Sequence, residues 1–218
     1  MKSNLILQKD VFLYMLLTSI VICGLASSVV TAQKVVYFGL NFPYSNLVFS
    51  IFTFPIIDCI CELWGKAAAR RTVFLALMSQ VIIVFFVQLS IYMPHPDFWQ
   101  LQPIYKQIVG SSLNVVGASV LAFGLSQLLD IFIYQKIKDW SSGKWLWLRS
   151  NISTYLGQAL DSLILVSIVF YASDHKLTIL GGSILVKIVI TLLMTPIVYL
   201  IVISINRHLR GETLAFRQ

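Results

Sequence analysis

Charge is what this chain has least of. Only 11% of its 218 residues are charged, nine of them acidic, and the mean hydropathy is +0.84. A water-soluble domain carries roughly a quarter of its residues as charges, so this composition excludes one. Histidine and cysteine are equally scarce, at three each. The histidines are scattered and peripheral, His95 being a loop residue. Cys23, Cys59 and Cys61 all sit in apolar runs, and the spacing of the last two sends their side chains to different sides of a helix. That argues for packing and against a disulfide framework or a thiolate metal site. No Gly-x-x-x-x-Gly-Lys-Ser/Thr, His-Glu-x-x-His, Gly-x-Ser-x-Gly or Gly-x-Gly-Asp motif occurs. The chain therefore lacks a nucleotide-binding loop, and neither an enzyme, a metal nor a cofactor is expected.

What fills the chain instead is a series of apolar blocks of about 20 residues or more, each long enough at 1.5 Å per residue to cross a ~30 Å hydrocarbon core. The expected fold class is an all-α membrane protein of six transmembrane helices, at about 11–32, 44–64, 72–93, 108–134, 151–172 and 178–206. The connections leave no room for a soluble domain, so residues 1–218 read as one polytopic membrane domain. Pro55 is expected to kink the second segment, small residues from Gly110 to Ser119 to let a neighbour approach the fourth, and Ser150 or Asn151 to cap the fifth. The net charge of +7 does not point to nucleic acid, because the bases sit in turns between segments, where they meet anionic lipid. Twelve Lys and Arg fall on one face of the six-segment arrangement and three (Lys34, Lys106 and Lys176) on the other, with Lys187 inside the last segment. By the positive-inside rule both termini face the cytoplasm.

The chain is organised around residues 52–71. Here an apolar segment carries Asp58 inside it and Glu62 one turn further on, then stops at Gly65-Lys66 and the pair Arg70-Arg71. An ionised group in hydrocarbon costs several kcal/mol unless partnered, so Asp58 calls for a reason beyond packing. Two further acids lie in segments four and five within copies of one pattern, Gln127-x-x-Asp130 and Gln158-x-x-Asp161, whose spacing puts amide and carboxylate on one helical face. Asp161 lies about 15 Å into its helix, near mid-membrane, and Lys187 enters to a similar depth from the other side. The two are expected to form an ion pair. Glu62, nearest the interface, is the acid most easily explained as solvated. Three intramembrane acids and one Lys suit a water-accessible cavity better than a scaffold.

These residues also carry a resemblance. Phe54-Pro55 through Asp58, Glu62, Gly65-Lys66 and Ala69-Arg70-Arg71 form one part of it. Ala118-Ser119-x-x-Ala122-Phe123-x-x-Ser126-Gln127-x-x-Asp130 is another, and Trp147-Leu148-Arg149-Ser150-Asn151-x-Ser153-Thr154 to Gln158-x-x-Asp161-Ser162 the third. Together they resemble the queuosine precursor transporter family, also called the vitamin uptake transporter family. The resemblance implies an inner-membrane importer of the 7-deazaguanines preQ0 and preQ1, acting as a secondary carrier or facilitator. A substrate-binding subunit of an energy-coupling vitamin transporter is the alternative. The implied substrate contacts are Asp58, Gln127, Asp130, Gln158 and Asp161, with Phe54, Phe52 or Trp64 as the aromatic cover. Glu62, Lys187, Arg70 and Arg71 then have structural or coupling roles. The implied partners are the deazaguanine and membrane lipid, while proton coupling and a homo-oligomer are left open.

Overall fold

A computed structural model describes residues 2–31, 34–110, 113–142, 144–171 and 173–207. The chain order is α1 (Lys2–Thr31), β1 (Val35–Tyr37), β2 (Asn41–Pro43), α2 (Ser45–Val48), a π-helical turn (Phe49–Thr53), α3 (Phe54–Tyr92), α4 (Gln102–Val109), α5 (Leu113–Trp140), α6 (Leu146–Val169) and α7 (Lys176–Ile205). Among the described residues, five helical stretches are long and apolar enough to cross a membrane: Gln8–Ser28, Ser45–Tyr92, Gly117–Trp140, Leu146–Val169 and Lys176–Ile205. The protein is a multi-pass, predominantly helical membrane protein.

The longest stretch, 48 residues, would extend about 72 Å as one straight helix, more than twice the hydrocarbon core. It does not run straight. Gly65 has φ 81° and ψ 173°, a conformation in which a side chain is strained, and it is the one non-helical residue inside α3. Contacts with α5 show what it does. Phe49 stacks on Phe123 and Glu62 accepts from Tyr134, so 49–62 ascends together with α5. Beyond the glycine, Leu77 lies beside Gly124 and Gln80 donates to Ser119, so this arm descends against it. The chain reverses at Gly65. The expected basic turn over 66–71 is helical instead, because Ala67-Ala68-Ala69-Arg70-Arg71 is a strong helix former and one glycine suffices to turn the chain.

Other boundaries also differ from expectation. The first helix starts at Lys2 rather than Val11. The connection before α2 holds a small antiparallel ribbon, Val35 opposite Pro43 and Tyr37 opposite Asn41, so the chain is not wholly helical. Pro55 does not kink a helix interior. It stands in the first turn of α3 directly after the π turn Phe49–Thr53, within the continuous helical stretch Ser45–Tyr92, and the one non-helical residue of α3 is Gly65 instead. The fourth segment divides into α4 and α5 around Gly110, and Ser111 and Ser112 lie outside the described residues. Ala118 and Ser119 are buried as expected, while Gly117 is exposed with nothing close to it. α6 begins five residues early, behind Trp145 in a left-handed conformation, which leaves Ser150 and Asn151 inside the helix instead of capping it.

The core gathers around the first arm of α3, whose residues 54–61 are all buried against α1, α5 and α7. Gly24 permits part of this, since a Cβ there would press on Phe52 and the Thr53 hydroxyl at 3.3 Å. α6 and α7 pack antiparallel alongside, registered by side-chain bonds from Thr195 to Asn151 and from Thr191 to Gln158.

Candidate functional site

Hydrocarbon offers a polar side chain no partner, so serines outside the core, such as Ser19 and Ser79, bond back to their own helix, while the intramembrane acids and amides turn inward and form a series of rungs through the bundle. Nearest the ribbon end, Lys187 Nζ meets Asp161 Oδ2 at 2.7 Å and donates to Ser162 Oγ at 2.8 Å. The expected ion pair is present, with side chains 1% and 3% exposed. One turn further along, Thr191 donates to Gln158 Oε1 at 3.2 Å, and Gln158 Nε2 has no partner among the described residues.

The next rung is the least satisfied. Gln127 and Asp130 are fully buried on α5, and neither the amide nor the carboxylate makes a hydrogen bond among the described residues. The Ser153 hydroxyl faces Asp130 but donates to the Ser150 carbonyl at 3.3 Å. Gly157 of α6 brings the two helices together here. A Cβ at that position would stand 3.0 Å from the Ser126 carbonyl, 3.1 Å from Asp130 Cβ and 3.5 Å from the Phe54 ring. Phe54 is therefore the aromatic beside this rung. Phe52 is 47% exposed on the outside of the bundle, and Trp64 packs edge-on to Tyr14 while donating to Asp10.

Asp58 lies below, buried, with Oδ2 accepting from both Ser150 and Thr154 of α6. Glu62 closes the series. It is not the solvated acid that the sequence suggested: its Oε2 takes Arg149 at 2.8 Å, Lys138 at 3.0 Å and the Tyr134 hydroxyl at 2.9 Å. Arg149 is only 2% exposed and lies 5.5 Å from the Tyr134 ring. These charge-assisted bonds tie the first arm of α3 to α5 and α6 at the basic end of the bundle. Arg70 and Arg71 take no part in the rungs and are exposed.

The structure thus brings Asp58, Gln127, Asp130, Gln158, Asp161, Phe54, Glu62 and Lys187 into one polar interior, and divides the acids by occupation. Asp161 is held by a cation, Glu62 by two cations, and Asp58 by two hydroxyls. Asp130 has no such holder among the described residues. Sequence reasoning missed Arg149 and Tyr134 as site residues, counting the first only among the cations between segments and the second only as the end of segment 108–134. It also missed Asn46, Ser50 and Ser183, each buried with a polar atom that has no partner among the described residues. The signal for the first two was available, because Asn46, Ser50, Phe54 and Asp58 repeat every four residues along one apolar segment. The π turn that includes Ser50 is itself a feature that recurs at functional sites.

Comparison with known proteins adds an independent line. Residues 43–201 match the family described as "Putative vitamin uptake transporter". The chain is 30% identical over 172 residues to a protein of Bacillus subtilis named "Probable queuosine precursor transporter", covering 77% of this chain and 74% of that one. It is 27% identical over 126 residues to the "Queuosine precursor transporter" of Escherichia coli, covering 56% of this chain and 54% of that one. No solved structure matches significantly.

Proposed function

The chain belongs to the vitamin uptake transporter family, and from that premise we propose that it imports a queuosine precursor, preQ0 or preQ1, across the cell inner membrane by alternating access. The two similar transporters support the solute, and the uncommitted rung at Gln127 and Asp130 supports the place where it binds. Four polar atoms buried without partners are costly in an empty scaffold. A 7-deazaguanine supplies what they lack. Its ring N–H and exocyclic amine are adjacent donors that the Asp130 carboxylate accepts in bidentate fashion, and its ring carbonyl accepts from the Gln127 or Gln158 amide. Phe54 covers a ring face. The aminomethyl cation of preQ1 gains from the neighbouring Asp58.

Six crossings follow when the stretch Ser45–Tyr92 is read as two, a reading supported by the reversal at Gly65. Lys66, Arg70, Arg71, Lys136, Lys138 and Lys144 then gather at one end, which the positive-inside rule places in the cytoplasm together with both termini. In this orientation the cluster around Glu62 lies between the substrate rung and the cytoplasm, and import requires it to part. The absence of a nucleotide-binding loop favours a secondary carrier or facilitator over an ATP-driven pump, and an acid in the path provides a means of proton coupling.

The test is uptake of labelled preQ0 and preQ1 into cells that cannot make either and lack an importer of their own. Expression of this chain should restore uptake, and Asp130→Asn should abolish most of it while inserting normally. A parent that is present in the membrane but carries neither compound refutes the solute. Uptake by the purified chain in liposomes would exclude the need for a separate energy-coupling module.

A further inference from the structure

At the basic end, the start of the second arm of α3 and the end of α5 enclose a cavity of about 260 Å³. Lys66 and Arg70 line it from one helix, and Phe132 and Lys136 from the other, over an inner wall formed by Ile131. Its chemistry is graded. Ile131 is buried, Phe132 is 55% exposed on the outer face of α5, and Lys136 Nζ stands 5.9 Å over the Phe132 ring. None of the three cations is in a salt bridge among the described residues. The one acid in the cavity, Asp139, accepts from the Gln135 amide at 2.7 Å, and Lys138 turns away to Glu62. Three cations against one carboxylate leave a local excess of positive charge.

We propose that this cavity is a binding site for the phosphate headgroup of an anionic membrane phospholipid. The volume is smaller than the roughly 300 Å³ at which pockets for whole small molecules begin, so it suits a headgroup whose remainder lies outside. The apolar wall on the membrane-facing side gives the acyl chains a surface, which a free phosphate would not use. Cations at the boundary of the hydrocarbon, where the anionic leaflet presents its phosphates, complete the match. The site is separate from the substrate rungs, because Arg70 and Lys136 are exposed outside the polar interior. It rests on the geometry and charge of this end of the bundle and on the cytoplasmic placement proposed above, and it stands whether or not the solute proves to be a deazaguanine.

Native mass spectrometry of the whole purified chain, titrated with phosphatidylglycerol, phosphatidylcholine and inorganic phosphate, tests this. Phosphatidylglycerol should bind in preference to both. The double variant K66Q/R70Q should weaken it by about 30-fold, at roughly fivefold for each juxtamembrane cation. Lys144→Gln, at the same end but outside the cavity, should leave affinity unchanged. All three substituted side chains are exposed, and equal melting temperatures would confirm that the variants fold alike. Equal binding of phosphatidylcholine, competition by inorganic phosphate at matching concentration, or an undiminished affinity in the double variant would each overturn the assignment.

Discussion

Replacing Asp161 with Asn should destabilise the protein chiefly through Lys187. The two side chains are 3% and 1% exposed and 2.7 Å apart, so the substitution leaves an ammonium in the bundle interior with no counter-charge and only neutral acceptors, the Ser162 hydroxyl among them. Breaking one side of a buried pair costs about 3–5 kcal/mol, and Asn should fall near the lower figure because its carbonyl still accepts from Nζ. For a chain of this size about 3 kcal/mol lowers the melting temperature by roughly 6–12 °C. Asp161→Asn combined with Lys187→Met removes the stranded charge, and should recover at least about 2 kcal/mol of that loss. Thermal unfolding of the four members of this cycle in one detergent measures the coupling. A single variant as stable as the parent, or a coupling below about 0.5 kcal/mol, would refute a pair that supports the fold. The same cycle decides how transport data are read, since loss of uptake in Asp161→Asn by itself combines instability with any loss of substrate contact.

Asp130→Asn should act in the opposite sense: melting temperature unchanged or raised, because no cation or hydroxyl is stranded, but substrate affinity lower by roughly 10- to 100-fold from the lost charge-assisted bonds, as read from uptake kinetics. Glu62→Gln removes the partner shared by Arg149 and Lys138 and should loosen the basic end. In a chain whose only thiol is Cys61, now 1% exposed, maleimide labelling should speed up, and an unchanged rate would show that Glu62 does not hold that end shut. Gly65→Ala should cost about 1–3 kcal/mol although nothing lies within 4 Å of the added methyl, because the penalty is conformational; a melting temperature equal to the parent's would contradict a reversal that depends on glycine. A methyl at Gly182 would collide with the Asn41 carbonyl, so Gly182→Ala should displace the ribbon from α7 and raise proteolysis in the 35–43 connection.

Much of the site was legible because hydrocarbon makes polar residues conspicuous. In a segment of leucines and isoleucines, Asp58, Asp130, Asp161 and Lys187 stand out without an alignment, and rise per residue was enough to place Asp161 and Lys187 at one depth. Arg149 was not legible. In sequence it belongs to a run of tryptophans and cations that reads as an interface, and its neighbours give no sign that it turns inward to an acid 87 positions earlier. Asn46 and Ser50 were legible as part of a four-residue repeat with Phe54 and Asp58 but were passed over, since small neutral side chains in apolar segments are common, and Ser183 carries no such signal and becomes informative only when it is found buried.

Apolar block length and the scarcity of charge already require a helical membrane protein, and the cost of bare charge requires its acids to be gathered inside. Which acid goes without a cation or a pair of hydroxyls depends on helix packing. Asp58, Asp130 and Asp161 are alike as residues in apolar helices, and helical periodicity places each on a face without saying what that face meets. Only the packing of α6 against α3 gives Asp58 its hydroxyls, and only the register of α6 on α7 gives Asp161 its lysine. The close approach at Gly157 sets Asp130 beside Phe54, where no cation among the described residues answers it.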